Sequence, residues 1–420
     1  MEKITLIKGF KDILPEDTLS WQRVETITRQ IFGCFGFQEI RVPIMEKTEL
    51  FKRGIGETTD IVEKEMYTFS DRDDELLTLR PEATASIIRA YIEHNMWAEN
   101  SLTKLYTIGP MFRRERPQKG RFRQFHQIDV ELFGDDKPQS DAEVIFMLYH
   151  FLQTVGLDQL SVEINSLGCA SCRPAFSQSV VDYLKDYEKE LCPDCQRRML
   201  KNPLRIFDCK EEKCNAIIAG APQILGSLCP ECAGHFDSVK SFLQDLQVNF
   251  AVNPIMVRGL DYYTRTAFEV KSGLLGAQNA VAGGGRYDSL VSFLGGPEVS
   301  GIGFAIGLER LLACLPQLEQ EKYKTDLFIA ALGKRAQELG FKLTNELRRA
   351  GIAAAMDYSD KSLKSQMKRA DKLNSSYTLI FGDKELDEKR VELRNMTTKN
   401  QQALSLDNLQ EKIINIIQER

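Results

Sequence analysis

LTKLYTIGPMFRRERPQKGRFRQFHQIDVELFG, residues 102–134, constrains this chain more than any other stretch. LTKLYTIGPMFRRE and FRQFHQIDVELFG read as two strands joined by the loop ERPQKGR, a long hairpin that implies an antiparallel sheet. The turn end is heavily charged: six Arg and Lys and a single Glu fall within residues 112–125. The whole chain has a formal net charge of -5, so the positive charge is a local surface and indiscriminate nucleic-acid binding is not expected. A length of 420 residues predicts two domains plus an insertion. No apolar run approaches the roughly 20 residues of a bilayer span, so no membrane partner is expected. The opening MEKITLIKGFKDILPED shows no secretory signal, which gives a cytoplasmic protein as the expectation.

Upstream of the hairpin, residues 16–35 read as an amphipathic helix and FQEIRVPI as a strand ending at Pro43. LTLRPEATASIIRAYIEH reads as a strand running into a helix, with Pro81 at the junction. Residues 141–155 are helical by periodicity. VRGLDYYTRTAFEVK reads as strand, AVAGGGRYDSL is glycine-rich, and SGIGFAIGLERLLACL is a strand entering a helix. The expected fold is therefore α+β: an antiparallel core over residues 1–324 with an insertion at about 166–245. From Thr325 the texture changes to short apolar runs, DLFIAAL, IAAAMDY and SYTLIFG, separated by helical patterns, with VELRNM a further strand. That alternation predicts a separate α/β domain over 325–420 with a largely parallel sheet. It holds 17 Lys and Arg against 14 Asp and Glu. Lys364, Lys368, Arg369 and Lys372 fall along one side of a helix, which on charge alone is a solvated face.

Eight of the ten cysteines lie between residues 169 and 232, as Cys169-x-x-Cys172, Cys192-x-x-Cys195, Cys209-x4-Cys214 and Cys229-x-x-Cys232. Thiols at such spacing read better as ligands for two structural Zn²⁺ than as disulfides. Reduced, idle thiols are the alternative, and spacing does not say which pairs go together.

No GxxxxGK[ST] loop and no strand-linked GxGxxG is present. The glycines of GIGFAIG instead alternate along a strand, which clears one face for a flat ligand. Phosphates would then need explicit cations, and the arginines of residues 113–123 can supply them, since guanidinium forks match phosphate oxygens. The same loop could equally contact RNA. Arg258 and Arg310 tip the balance, because each sits beside glycines in an apolar context and needs an anion to offset its desolvation.

LRPEATASIIRA, the hairpin, VRGLDYYTRTAFE, AGGGRYDSL and GIGFAIGLERL, in that order, closely resemble the histidyl-tRNA synthetases, a class II aminoacyl-tRNA synthetase family. The class I elements HIGH and KMSKS are absent. The resemblance implies a class II antiparallel catalytic core with a helical insertion and a C-terminal α/β anticodon-binding domain. It implies formation of histidyl-adenylate and pyrophosphate from L-histidine and ATP with Mg²⁺, then transfer of histidine to the 3′ end of tRNA(His). Arg258 and Arg113 would flank the α-phosphate, Arg121 and Arg310 would hold the β and γ phosphates, Glu115 would read the adenine amino group and Phe125 would stack on its ring. Glu82, Thr84 and Gln127 would hold the histidine α-amino group. Glu131 and Tyr263 would bond the imidazole nitrogens, with Tyr262 and Tyr287 lining the pocket and no editing domain required. Lys364, Lys368 and Arg369 become candidate tRNA contacts. A homodimer is implied, with the region around Pro43 near its interface. Zinc is not implied, because many relatives lack these cysteines.

Taken singly, several of these residues have plainer explanations. Tyr262 and Tyr263 would be strand aromatics, Gly283 to Gly285 a turn, and Glu82 a helix-start carboxylate. His126 is assigned packing or hydrogen bonding and no catalytic role. Two other classes of function stand beside the enzyme: a non-catalytic synthetase-like regulatory subunit, and a zinc-dependent RNA-binding sensor.

Overall fold

The computed structural model describes residues 3–56, 59–116, 120–273, 280–315 and 324–418. The chain forms two compact units, residues 1–316 and 317–420. The expected boundary at 324/325 adjoins residues 316–323, and the hairpin turn contains residues 117–119; both stretches lie outside the described residues.

The strands of the first unit are β1 (Gln38–Glu39), β2 (Met45–Lys47), β3 (Tyr67–Ser70), β4 (Leu76–Leu79), β5 (Thr103–Phe112), β6 (Gln124–Phe133), β7 (Leu160–Ser166), β8 (Phe250–Val252), β9 (Thr264–Ser272), β10 (Ala280–Arg286) and β11 (Gly301–Gly307). Eight form one sheet in the order β1-β5-β6-β11-β10-β9-β7-β8. It is antiparallel except at its edges, where β1 joins β5 and β7 joins β8 in parallel. The expected hairpin pairs without interruption from Thr103 opposite Phe133 to Phe112 opposite Gln124. Alternation along β6 assigns its two faces. Ile128, Val130 and Leu132 pack into the main core with Phe32 of the helix Pro15–Cys34 and Phe151 of the helix Pro138–Thr154. Gln127, Asp129 and Glu131 face the opposite way. A slip of one residue would exchange the two sets, losing about 1.5–3 kcal/mol for each aliphatic side chain brought out of the core.

Two strand expectations are corrected. FQEIRVPI forms only the two-residue β1, after which the chain starts a separate three-stranded sheet, β2-β4-β3. VRGLDYY is not strand: the ladder of β9 begins at Thr264, and residues 257–263 run as turns and irregular backbone. Its polar groups are met by side chains of the insertion instead of a neighbouring strand. Gly283, Gly284 and Gly285 are not a turn; all three lie in the β10 ladder between β9 and β11.

Between β7 and β8 the insertion is helical, with helices Arg173–Leu184, Pro193–Lys201, Glu212–Ile218 and Pro230–Asp245. Its small core is built on Phe176, Val180, Leu184, Met199 and Ile206 together with Cys195 and Cys214. In the second unit, β12 (Leu327–Leu332), β13 (Ala354–Met356), β14 (Tyr377–Gly382), β15 (Arg390–Asn395) and β16 (Gln401–Ser405) form a sheet ordered β13-β12-β14-β15-β16. The first three are mutually parallel and the last two antiparallel; β16 had no counterpart in the sequence reading. The helix Leu363–Lys372 buries Gln366 and Ala370 and exposes Lys364, Lys368, Arg369 and Lys372. Arg369 is paired with Asp357 at 3.1 Å. Among the described residues no helix is long and apolar enough to cross a membrane.

Candidate active site

The outward face of β6 is the floor of a pocket of about 310 Å³. Opposite Gln127, Asp129 and Glu131 on β11 stand Gly307, Ala305 and Gly303; on β10, Gly283 opposes Ala305 and Gly285 opposes Gly303. The floor is flat because its centre has almost no side chains. A Cβ on Gly303 would overlap the Glu131 carboxylate, and one on Gly283 would lie 2.6 Å from the Arg258 guanidinium carbon. The glycines of GIGFAIG and AGGGRYD thus make room for named side chains. The pocket is lined by Glu82, Thr84, Arg113, Glu115, Arg121, Phe125, Gln127, Glu131, Arg258, Tyr262, Tyr263, Tyr287 and Arg310, so all thirteen expected site residues meet there.

One end is acidic and aromatic. Thr84 Oγ1 donates to Glu131 Oε1 at 2.6 Å, and the Tyr287 hydroxyl donates to the other Glu131 oxygen. Glu82 accepts from the backbone N–H groups of Thr84 and Ala85 at 3.2 and 2.9 Å, so it is a helix-start carboxylate as well as a pocket wall. Tyr262 lies 4.7 Å from Tyr263 and 5.7 Å from Tyr287 between ring centroids. Burial holds the Glu131 carboxyl well above the usual carboxylate range. Asp129 was missed by the sequence reading, although its two-residue spacing from Gln127 and Glu131 was the signal. It is buried, its Oδ2 has no hydrogen-bond partner among the described residues, and burial followed by the charge of Glu82 pushes its carboxyl up to about 8. A cation entering here would favour the ionised acids.

The other end is cationic. Arg113 donates from Nε to the Pro81 carbonyl at 2.8 Å, and its guanidinium lies 5.3 Å from the Phe125 ring centroid. Arg121 pairs with Glu115 at 2.9 Å. Arg258 pairs with Glu269 at 2.9 Å, while its buried Nε has no hydrogen-bond partner among the described residues. Glu269, also missed, faces Gly283 across the β9–β10 ladder. Burial first, then the charge of Arg121, lowers the pKa of Arg310. Four guanidinium groups around one cavity suit a polyanion, and an anion would offset their desolvation. His126 bonds Glu309 through Nδ1 at 2.9 Å and meets Trp21 edge-on at 4.9 Å, a packing and hydrogen-bonding position.

The eight cysteines form two groups whose sulfurs all lie within 4.8 Å of one another: Cys169, Cys172, Cys229 and Cys232, and Cys192, Cys195, Cys209 and Cys214. The first pair thus joins the fourth and the second joins the third, a nesting that spacing left open. Sulfur separations of 3.6 Å (Cys169–Cys172) and 3.9 Å (Cys192–Cys209) are near the ~3.8 Å edge of a tetrahedron with Zn–S of about 2.3 Å. Backbone N–H groups point at the sulfurs, from Cys229 to Cys172 and from Cys192 to Cys214, both at 3.2 Å, which favours thiolate. The donor set fits zinc.

Comparison with known proteins agrees with this layout. The pattern of the histidyl-tRNA synthetase family matches residues 9–172 and 213–311, leaving out residues 173–212 of the insertion, and that of the anticodon binding domain matches residues 326–416. A histidine–tRNA ligase of Desulfosudis oleivorans is 55% identical over 99% of both chains, and one of Geobacter sulfurreducens is 54% identical over 91% of this chain and 92% of its own. The crystal structure of apo S. aureus histidyl-tRNA synthetase is 38% identical, covers 98% of this chain and 100% of its own, and superposes with a TM-score of 0.84. With the motifs, the two-ended pocket and full-length relatives in agreement, the chain belongs to the histidyl-tRNA synthetase family.

Proposed function

We infer that the chain is a histidine–tRNA ligase, activating L-histidine with ATP and passing it to the 3′ end of tRNA(His). The observation that carries this is the two-ended pocket, with four arginines at one end and buried acids and tyrosines at the other. ATP would bind as its Mg²⁺ complex, whose metal would neutralise charge on the β and γ phosphates. Arg121 and Arg310 hold those phosphates, Glu115 accepts from the adenine amino group, and Phe125, beneath Arg113, stacks on the base. Glu82, Thr84 and Gln127 receive the α-ammonium group. Glu131 and Tyr263 bond the imidazole nitrogens, with Tyr262 and Tyr287 as walls.

A histidine carboxylate oxygen attacks the α-phosphorus, the bond to the β-phosphate oxygen breaks, and pyrophosphate leaves. Arg113 and Arg258 stabilise the charge that builds on the α-phosphate, each by about 3–4 kcal/mol if they act like other pre-placed donors. A terminal ribose hydroxyl of the tRNA then attacks the carbonyl, and AMP departs. Buried polar groups left unpaired by phenylalanine would give discrimination of about 10⁴–10⁵ without editing.

The finer expectations have supports of their own. Exposed Lys364, Lys368 and Arg369 offer phosphate contacts to tRNA. Exposed Ile44, Met45, Phe69 and Leu76 form apolar surface on and beside the small sheet that follows Pro43, which suits a homodimer. Each four-cysteine group would hold one structural zinc. The cytoplasm, where tRNA is charged, is the compartment. A purely regulatory or RNA-sensing role leaves four arginines around a pocket of this size without a purpose. Charging of tRNA(His) with labelled histidine, set against the other amino acids, tests the reading. Charging with histidine alone is expected; charging with another amino acid, or none by folded protein, would reject it.

A further inference from the structure

The segment Arg258–Tyr263 carries four of the pocket's side chains, Arg258, Leu260, Tyr262 and Tyr263, yet has no strand partner among the described residues. It is held from the side by the insertion. Arg205 Nη1 donates to the Arg258 carbonyl at 2.9 Å, and Asn202 Nδ2 donates to Asp261 Oδ1 at 3.0 Å. At the other end, Arg173 Nη2 donates to the Tyr263 carbonyl.

Each of these side chains is rooted beside a four-cysteine group. Arg173 directly follows Cys172. Asn202 and Arg205 lie on the excursion between Cys195 and Cys209, and the second cysteine group closes that excursion at both ends. The helix Pro193–Lys201, which runs into it, starts from Cys192, whose sulfur accepts from the Cys195 N–H at 3.4 Å. The turn Pro203–Asp208 runs directly into Cys209. Arg198 on that helix donates to the Arg205 carbonyl at 3.3 Å, bracing the turn that presents Arg205. Arg205 is itself buried. The aliphatic core around it is small and includes Cys195 and Cys214, so a closed metal site would supply much of its order.

We propose that the Cys192, Cys195, Cys209 and Cys214 site, filled with zinc, is a positioning device for the active site: through Asn202 and Arg205 it fixes the backbone that carries Arg258. This rests on the ligase reading and on zinc occupancy, and adds to them a mechanical link between the two. Arg205 and Asn202 are positioning residues, since neither lines the main pocket. The effect falls chiefly on kcat, because Arg258 acts on charge that develops during the reaction, and a displacement of about 1 Å costs roughly 10²-fold. The Arg173 arm and the Cys169, Cys172, Cys229 and Cys232 site secure the Tyr263 end.

The test uses the full chain, with bound zinc measured by elemental analysis and histidine-dependent pyrophosphate exchange measured in parallel. The proteins are wild type, Arg205→Ala, Arg205→Lys, a Cys209→Ser/Cys214→Ser variant, and that variant combined with Arg205→Ala. Two zinc ions per chain are expected in wild type and both Arg205 variants, and one in the cysteine variant. Arg205→Ala and the cysteine variant should each lose about 10²-fold in kcat with a much smaller change in histidine KM, and their combination should lose little more, because both break one connection. Arg205→Lys, which keeps a donor, should recover part of the loss. Should the cysteine variant not fold, Arg205→Ala decides alone: two zinc ions with depressed kcat supports the link. Arg205→Ala with two zinc ions and wild-type kcat overturns the link and leaves zinc standing. Wild type with full exchange and no zinc overturns the zinc reading and the link with it. Zinc-loaded wild type without exchange overturns the ligase reading.

Discussion

Glu131 and Arg258 line the same pocket but are held there by different means. Glu131 sits on β6, paired along its length by β5 on one side and β11 on the other, with Gly303 cleared beneath its carboxylate. Arg258 sits in a stretch with no ladder, placed by Gly283 under its guanidinium, Glu269 at its tip and Arg205 on its carbonyl. A sheet carries its own hydrogen bonds, so residues on it keep their geometry without distant help. An irregular segment borrows its bonds and can be disturbed from any lender. The floor proposed to read histidine should thus respond only to local change, and Arg258, proposed to answer the developing charge, should respond to remote change as well.

The largest expected effect is on the floor. Glu131→Ala removes the acceptor shared by Thr84 and Tyr287, and should lower kcat/KM for histidine by about 10³-fold. Exchange kinetics with melting as a control would check this, and a loss smaller than tenfold would count against Glu131 as the imidazole partner. Gly283→Ala comes next. Its methyl would meet the Arg258 guanidinium, the free end of a flexible side chain, so the arginine shifts while the strand persists. A loss of about 10²-fold in kcat with a nearly unchanged melting temperature is expected. A protein that melts early instead would remove the contrast between floor and segment.

A smaller effect concerns Asp129, whose carboxyl burial pushes up to about 8, so that it is mostly protonated at pH 7. The α-ammonium group of histidine favours the carboxylate, so the complex holds fewer protons than the free protein. Histidine affinity should therefore rise with pH, by about tenfold from pH 6 to 8, and level above that. Calorimetry in two buffers of different ionisation enthalpy would detect the released proton, and Asp129→Asn should abolish its share. The smallest effect belongs to the second unit: Lys364→Ala with Lys368→Ala should raise the tRNA KM a few-fold, more at low salt, and leave pyrophosphate exchange unchanged.

What the sequence disclosed follows the same division. The hairpin was legible because strand-like runs flanking a charged turn survive in a single sequence, and the arginines and glycines stood in motifs of fixed spacing. VRGLDYY was misread as strand because its composition is strand-like; only the side chains of Arg205 and Arg173, over 50 residues away, show where its backbone carbonyls bond, with Asn202 holding the Asp261 carboxylate between them. Asp129 escaped notice because Gln127 and Glu131 were placed by motif and the strand alternation that sets Asp129 between them on the same face was not applied, and Glu269 because its partner Arg258 lies off the ladder. The nesting of the cysteines is likewise a property of the folded insertion, since four pairs at similar spacing carry no record of which meet.

The most direct test of the account is histidine-dependent ATP–pyrophosphate exchange by wild type and Arg258→Ala, with the other amino acids alongside. Exchange with histidine alone, reduced about 10²–10³-fold in the variant while it still binds histidine, is the predicted result. Undiminished exchange in Arg258→Ala, or exchange supported by a different amino acid, would contradict it.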